Sequence, residues 1–207
     1  MRLRVSRRKF LQASAGIAGF ALTGTVASAG QRPDGWTRPG GLVPSGEWWA
    51  GGGPREAAHS STLVLTDEPG ERLVLSGTVF AADGRTPMPG VTVYVYQTDI
   101  HGLYNLEGKY GVPHRIRGWV NTDRTGFYEF HTIKPGLYPN RTTPAHLHMT
   151  VSRRDMPEWW LPEVRFEGAP LVTLAETQAS AADGRFGNVR PLVAHGGRLH
   201  CTRDLRL

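Results

Sequence analysis

The feature that most constrains this chain is a series of short β-rich runs, each closed by turn residues, with no long amphipathic helix between them. Leu73–Phe80 runs into Ala82-Asp83-Gly84-Arg85, a hairpin-type turn. Gly90–Gln97 alternates residue by residue, as a strand does. Arg117–Thr122, the turn Asp123–Gly126 and Phe127–Ile133 read as another hairpin. Ala145–Val151 and two C-terminal runs, Val189–Ala194 and Arg198–Leu205 around His195-Gly196-Gly197, complete the set. Strands of this length and spacing bury their apolar faces best by stacking two sheets, so the expected fold is all-β, an antiparallel β-sandwich with long irregular loops.

Charge narrows the choice of partners. The chain carries 24 basic and 18 acidic residues, a net charge of +6. Five of the basic side chains (Arg2, Arg4, Arg7, Arg8 and Lys9) lie in residues 1–29, which hold no acid, leaving 19 against 18. A basic binding face is not implied, and no nucleic-acid partner is expected. A single cysteine, Cys201, excludes an intramolecular disulfide framework and any multi-cysteine zinc site. Within a strand it is expected to be a buried, inert thiol.

Residues 1–29 have the form of an export signal. Ser6-Arg7-Arg8-Lys9-Phe10-Leu11 is a twin-arginine n-region, and Ala27-Ser28-Ala29 is a small-x-small cleavage site. The run Ala15–Val26 is diluted by Gly, Thr and Ser and falls short of the ~20 apolar residues of a membrane span. A periplasmic or extracellular protein with no stable membrane insertion after cleavage is expected. Residues 30–71 form an irregular arm rich in Gly, Pro and Trp (Trp36, Trp48, Trp49), and 72–207 the sandwich domain. The arm and the sheet edges make a homodimer a reasonable assembly.

The chemistry concentrates in Pro144-Ala-His-Leu-His-Met-Thr-Val151. In a strand, residues i and i+2 share a face, so His146 and His148 project together, and neutral imidazole is the commonest metal ligand. A third and fourth ligand are then needed. Tyr138 precedes this strand in Ile133–Arg141, and Tyr104 follows the strand ending near Gln97. A free phenol ionises near pH ~10, so only a strong Lewis acid such as ferric iron keeps it as phenolate at neutral pH. Tyr110 is a second-choice ligand, and Trp159, Trp160, His114 and Arg115 are candidates for the pocket or its rim.

Gly118–Arg141, followed by Pro144-Ala-His-Leu-His148, resembles the intradiol ring-cleavage dioxygenases, as do Leu75–Gln97 and Gly102-Leu-Tyr104. The resemblance spans roughly residues 72–170. It implies a prealbumin-like β-sandwich holding one non-haem Fe(III), with Tyr104, Tyr138, His146 and His148 at the positions of the family's ligands. It further implies a catechol-type diol as substrate, cleaved with O₂ between its hydroxylated carbons to a muconate-type diacid, with Tyr138 as the labile ligand that accepts a proton. Two positions depart from the pattern. The family arginine three residues before the first ligand histidine is Thr143 here, while Arg141 lies five before; Arg141 is expected to take over charge stabilisation. Glu163, in Pro162–Gly168, stands where the family has a pocket glutamine and is a candidate catalytic residue beside the substrate. The alternatives are a different oxidative reaction on the same iron-binding fold and a non-enzymatic binding module.

Overall fold

The computed structural model describes residues 57–105 and 114–207. The export signal at 1–29, Trp36, Trp48, Trp49 and Tyr110 lie outside the described residues. Two six-stranded sheets carry the fold. The first contains β1 (Ser60–Thr62), β5 (Phe127–Ile133), β2 (Arg72–Phe80), β11 (Arg198–Thr202) and β10 (Val193–His195) in that order, with β12 (Leu205–Arg206) also on β2. The second runs β4 (Ile116–Asn121), β3 (Thr92–Gln97), β6 (His146–Arg153), β8 (Val164–Phe166) and β9 (Val189–Arg190), with β7 (Met156–Trp160) also on β6. The all-β sandwich expected from the sequence is the fold observed.

Alternation sets which residues enter the core. In β5 every second residue is buried, and Tyr128, Phe130 and Ile133 are fully so. Strand β3 is buried on both faces, and its two faces differ in kind. Gln97 donates from Nε2 to Ile133 O (2.9 Å) and accepts from Thr132 Oγ1 (3.0 Å), bonds that tie β3 to β5 of the other sheet. Val93 and Val95 share that inner face, so Tyr94 and Tyr96 point away from the opposing sheet. The site is built on this outer face. Cys201 is fully buried, and burial pushes its thiol up to about 12.

Three sequence expectations are corrected. The turn after β2 closes a short antiparallel bridge, Phe80 with Pro87, without making β2 and β3 neighbours, and the turn after β4 closes no hairpin: β2 pairs with β5, and β4 with β3. Asp83 accepts from the N–H groups of Arg85 and Thr86, and Asp123 from those of Thr125 and Phe127, so each turn is a local carboxylate-centred reversal. Such a reversal turns the chain without choosing its neighbour, and each pair of strands then divides between the two sheets. The C-terminal reversal is a true hairpin, with β10 and β11 paired across Gly196 (φ +58°) and Gly197 (φ +74°), as a two-residue turn requires.

Nor are the sheets purely antiparallel. The pairs β1–β5, β2–β11, β2–β12 and β8–β9 are parallel. Parallel neighbours need a long crossover, and the β8–β9 connection contains the element that the sequence reading lacked, helix α1 (Leu174–Ala182). Its signal was a capping box: Thr173 Oγ1 accepts from Glu176 N while Glu176 accepts from Thr173 N. Only Ser180 of the helix is buried, so no apolar stripe announced it. Among the described residues no helix is long and apolar enough to cross a membrane.

Candidate active site

His146 and His148 open strand β6, with their rings on the outer face beside Tyr96, which lies opposite His148 in the β3–β6 register. Tyr96 stacks on His148 at 4.4 Å between centroids with 12° between planes, which holds that imidazole flat against the sheet. The other two candidate ligands come from loops. Residues 98–105 fold around Asp99, whose Oδ1 accepts from His101 N (2.8 Å) and Leu103 N (3.0 Å). The loop carrying Tyr138 docks onto this one: Gly136 N donates to Asp99 O (2.8 Å) and Thr98 Oγ1 to Gly136 O (3.1 Å). Two loops separated in sequence are thereby clamped together by their backbones.

The clamp brings four donor atoms to one point. Tyr104 Oη lies 2.5 Å from Tyr138 Oη and 2.7 Å from His148 Nε2. Tyr138 Oη is 3.1 Å from His146 Nε2, and the two Nε2 atoms are 3.0 Å apart. His146 Nδ1 is 2.6 Å from Pro144 O, a carbonyl that can only accept; Nδ1 therefore carries the proton and Nε2 presents its lone pair inward. The two phenols and one His148 tautomer bring at most three protons to these four contacts. At least one lone pair faces another. A cation at the centre removes that conflict.

Electrostatics point the same way. Burial, then the Tyr138 hydrogen bond, push the Tyr104 phenol far above its ordinary range. Burial and the neighbouring His146 push His148 well below the usual imidazole value, and burial with Arg117 lowers His114 to about 4. The protein alone favours a neutral Tyr104 phenol and a neutral His148, the state of imidazole that binds metal. Only a strongly charged ion offsets the cost of phenolates here. Two phenolic oxygens with two imidazole nitrogens suit a hard, high-valent metal such as iron.

The other sequence candidates divide. Glu163 Oε1 lies 3.7 Å from both His146 Nε2 and His148 Nδ1, so Glu163 and the histidines form a second possible metal-facing group. Its other oxygen accepts from Arg165 Nη2 at 3.0 Å. Arg141 is exposed, takes a left-handed backbone (φ +52°), donates its N–H to Tyr138 O (2.8 Å) and makes no ion pair with the described residues. His114 stacks on Tyr96 (4.3 Å) and Tyr104 (4.6 Å), and Trp160 meets His148 edge-on. Arg115 instead pairs with Glu68, and Trp159 is buried. The sequence reading missed the stacking role of Tyr96, whose signal was its place on the same outer face as the histidines, and missed Arg165 altogether. A cavity of about 600 Å³ adjoins the cluster, lined by His148, Trp160, Glu163, Arg165, Glu176 and Asp183 among others.

The sequence model of the family described as "Dioxygenase" matches residues 48–197. The chain belongs to this family, the intradiol ring-cleavage dioxygenases. It is 30% identical over 131 residues to the protocatechuate 3,4-dioxygenase beta chain of Burkholderia cepacia, covering 58% of this chain and 55% of that protein. To the catechol 1,2-dioxygenase of Acinetobacter baylyi it is 29% identical over 125 residues, 52% of this chain and 40% of that one. The chain thus spans about half the length of these relatives. Among solved structures, the dioxygenase domain of a dioxygenase carbohydrate-binding fusion from Streptomyces sp. SirexAA-E superposes with a TM-score of 0.58 at 25% identity, covering 79% of this chain and 94% of that one. Catechol 1,2-dioxygenase from Acinetobacter sp. ADP1 superposes with a TM-score of 0.60 at 23% identity, covering 97% and 67%, a likeness of fold. Intradiol dioxygenases use non-haem iron, and the donor set built by Tyr104, Tyr138, His146 and His148 fits it.

Proposed function

We propose that this intradiol dioxygenase holds one Fe(III) on Tyr104, Tyr138, His146 and His148 and cleaves a catechol-type diol with O₂ between its hydroxylated carbons, giving a muconate-type diacid. The observation that carries the reading is the convergence of two phenolic oxygens and two imidazole nitrogens at 2.5–3.1 Å. Bound Fe(III) supplies the Lewis acidity that keeps the phenolates ionised and binds the diol oxygens. Tyr138 Oη, with its longer 3.1 Å contact to His146, is the group that takes up a proton from the incoming diol. Tyr96 and Pro144 O keep His148 and His146 oriented, while Trp160 and Leu161 line the cavity beside them. In an aerobic assay of the iron-loaded protein, catechol and O₂ should disappear in equal amounts as the diacid appears, with both atoms of ¹⁸O₂ in the product. O₂ uptake without ring opening would instead support a different oxidative reaction, a second reading favoured by Glu163 at 3.7 Å from each histidine. No uptake with any catechol would overturn both.

Arg141 is the guanidinium we assign to the charge that develops on the ring. It sits on the loop between Tyr138 and His146, and no described carboxylate holds it. Arg141→Ala should lower turnover roughly 100- to 1,000-fold with iron content unchanged, the scale for loss of one aimed donor. Full turnover in that variant would remove Arg141 from the machinery.

A further inference from the structure

We infer that the cavity beside the four-donor cluster selects a catechol whose ring bears a cationic arm and discriminates against a carboxylate arm, with Glu176 and Asp183 as the specificity-determining residues. The inference rests on the proposed diol chemistry, since it places the diol at the end walled by His148 and Glu163. A cavity of about 600 Å³ is far larger than an unsubstituted catechol, within the range of ~300–1,000 Å³ that takes drug-sized ligands. The remaining volume is room for a ring substituent.

The charge of the lining decides which substituent. Three carboxylates, Glu163, Glu176 and Asp183, and one guanidinium, Arg165, line the cavity. The guanidinium is closed to a substrate anion. Its Nη2 donates to Glu163 Oε2 at 3.0 Å, and its Nη1 donates to Glu176 Oε1. Arg165 is locked there by the fold, because it lies opposite His146 in the β6–β8 register while Glu176 is fixed by its capping box with Thr173. The backbone N–H and hydroxyl of Thr173, with Arg165, hold the Glu176 carboxyl below its usual range, so it stays ionised. Asp183 is uncompensated. It closes the C-terminal end of α1, where the helix dipole already disfavours negative charge, and it makes no ion pair with the described residues. A carboxylate arm meets net negative charge and no free cation among the lining residues, whereas an ammonium arm meets the uncompensated Asp183 together with Glu176, whose oxygens are shared with Arg165 and Thr173.

A matched series tests this: 4-(2-aminoethyl)catechol, 4-ethylcatechol and 4-(2-carboxyethyl)catechol, which share a two-carbon arm and differ in the charge at its end. On the iron-loaded protein, both KM for ring cleavage and Kd from calorimetry should rise in that order. The ends should differ by about five- to tenfold at low salt and converge in 1 M salt, as partly exposed charges do. Glu176→Gln keeps the capping box, since Gln serves at that position, but frees Arg165; the carboxyethyl compound should gain several-fold and the aminoethyl compound lose. Asp183→Asn should weaken the aminoethyl compound and relieve part of the repulsion of the carboxyethyl one, leaving 4-ethylcatechol unchanged. Equal or tighter binding of the carboxyethyl compound to the wild type overturns the inference, as does an order that neither variant changes. If none of the three is cleaved while the order of Kd persists, the ring-cleavage reading falls and the charge selection by the cavity stands.

Discussion

His146→Ala and His148→Ala are each expected to yield a folded protein that no longer holds iron. Each removes one of four atoms that meet at 2.5–3.1 Å, and neither loop tyrosine can move to replace an imidazole fixed on strand β6. Loss of a partner that only orients a ligand costs ~10- to 100-fold in metal affinity; loss of the ligand itself should exceed the upper figure. Metal analysis and the visible phenolate-to-iron absorption read the effect directly, and thermal melting shows whether the sandwich survives. Tyr138→Phe should behave differently, keeping part of the iron while losing part of the colour. Wild-type iron content in either histidine variant would sink the four-ligand assignment. A colourless wild type that takes up zinc and no iron would do the same.

A second large effect is expected at a residue that supplies no ligand atom. A Cβ at Gly102 would lie 1.9 Å from Leu137 O and 3.0 Å from Tyr138 Cα, at a φ of +79° that side chains rarely adopt. Neither neighbour is a flexible side-chain tip; both belong to the backbone of the loop that carries Tyr138. Gly102→Ala must therefore separate the two tyrosine loops, besides straining its own backbone. The expected cost is roughly 2–4 kcal/mol of stability, the size of a clash combined with a strained residue. More telling is the metal, because Tyr104 is only two residues away. The colour should weaken and shift as its Oη withdraws from Tyr138 Oη. A variant that is destabilised yet binds iron with an unchanged spectrum would show that this loop contact does not set the site.

Much of the molecule was legible in the order of its residues, because strand formation and side-chain direction are local properties. Alternation places Tyr128 and Phe130 inward, and the two-residue period puts His146 and His148 on one face whatever the sheet they join. Turn chemistry at Asp83, Asp123 and Gly196-Gly197 was legible too, since a carboxylate or a glycine acts on backbone a few residues away. Pairing was not. Whether β4 lies against β5 or β3 depends on which arrangement buries both apolar faces, and the structure divides them between two sheets. Helix α1 hid for a related reason: its stability lies in a capping box and a crossover connection, with hardly any buried face to give it a period.

The candidate site follows the same division. The residue types that suit iron, and their positions by family resemblance, are properties of the chain. Only the tertiary structure could set Tyr104 Oη 2.5 Å from Tyr138 Oη across 34 residues, because that distance is fixed by one loop's backbone resting on another. It alone closed Arg165 between Glu163 and Glu176, charges whose effect depends on separations of a few ångströms that their positions along the sequence do not encode.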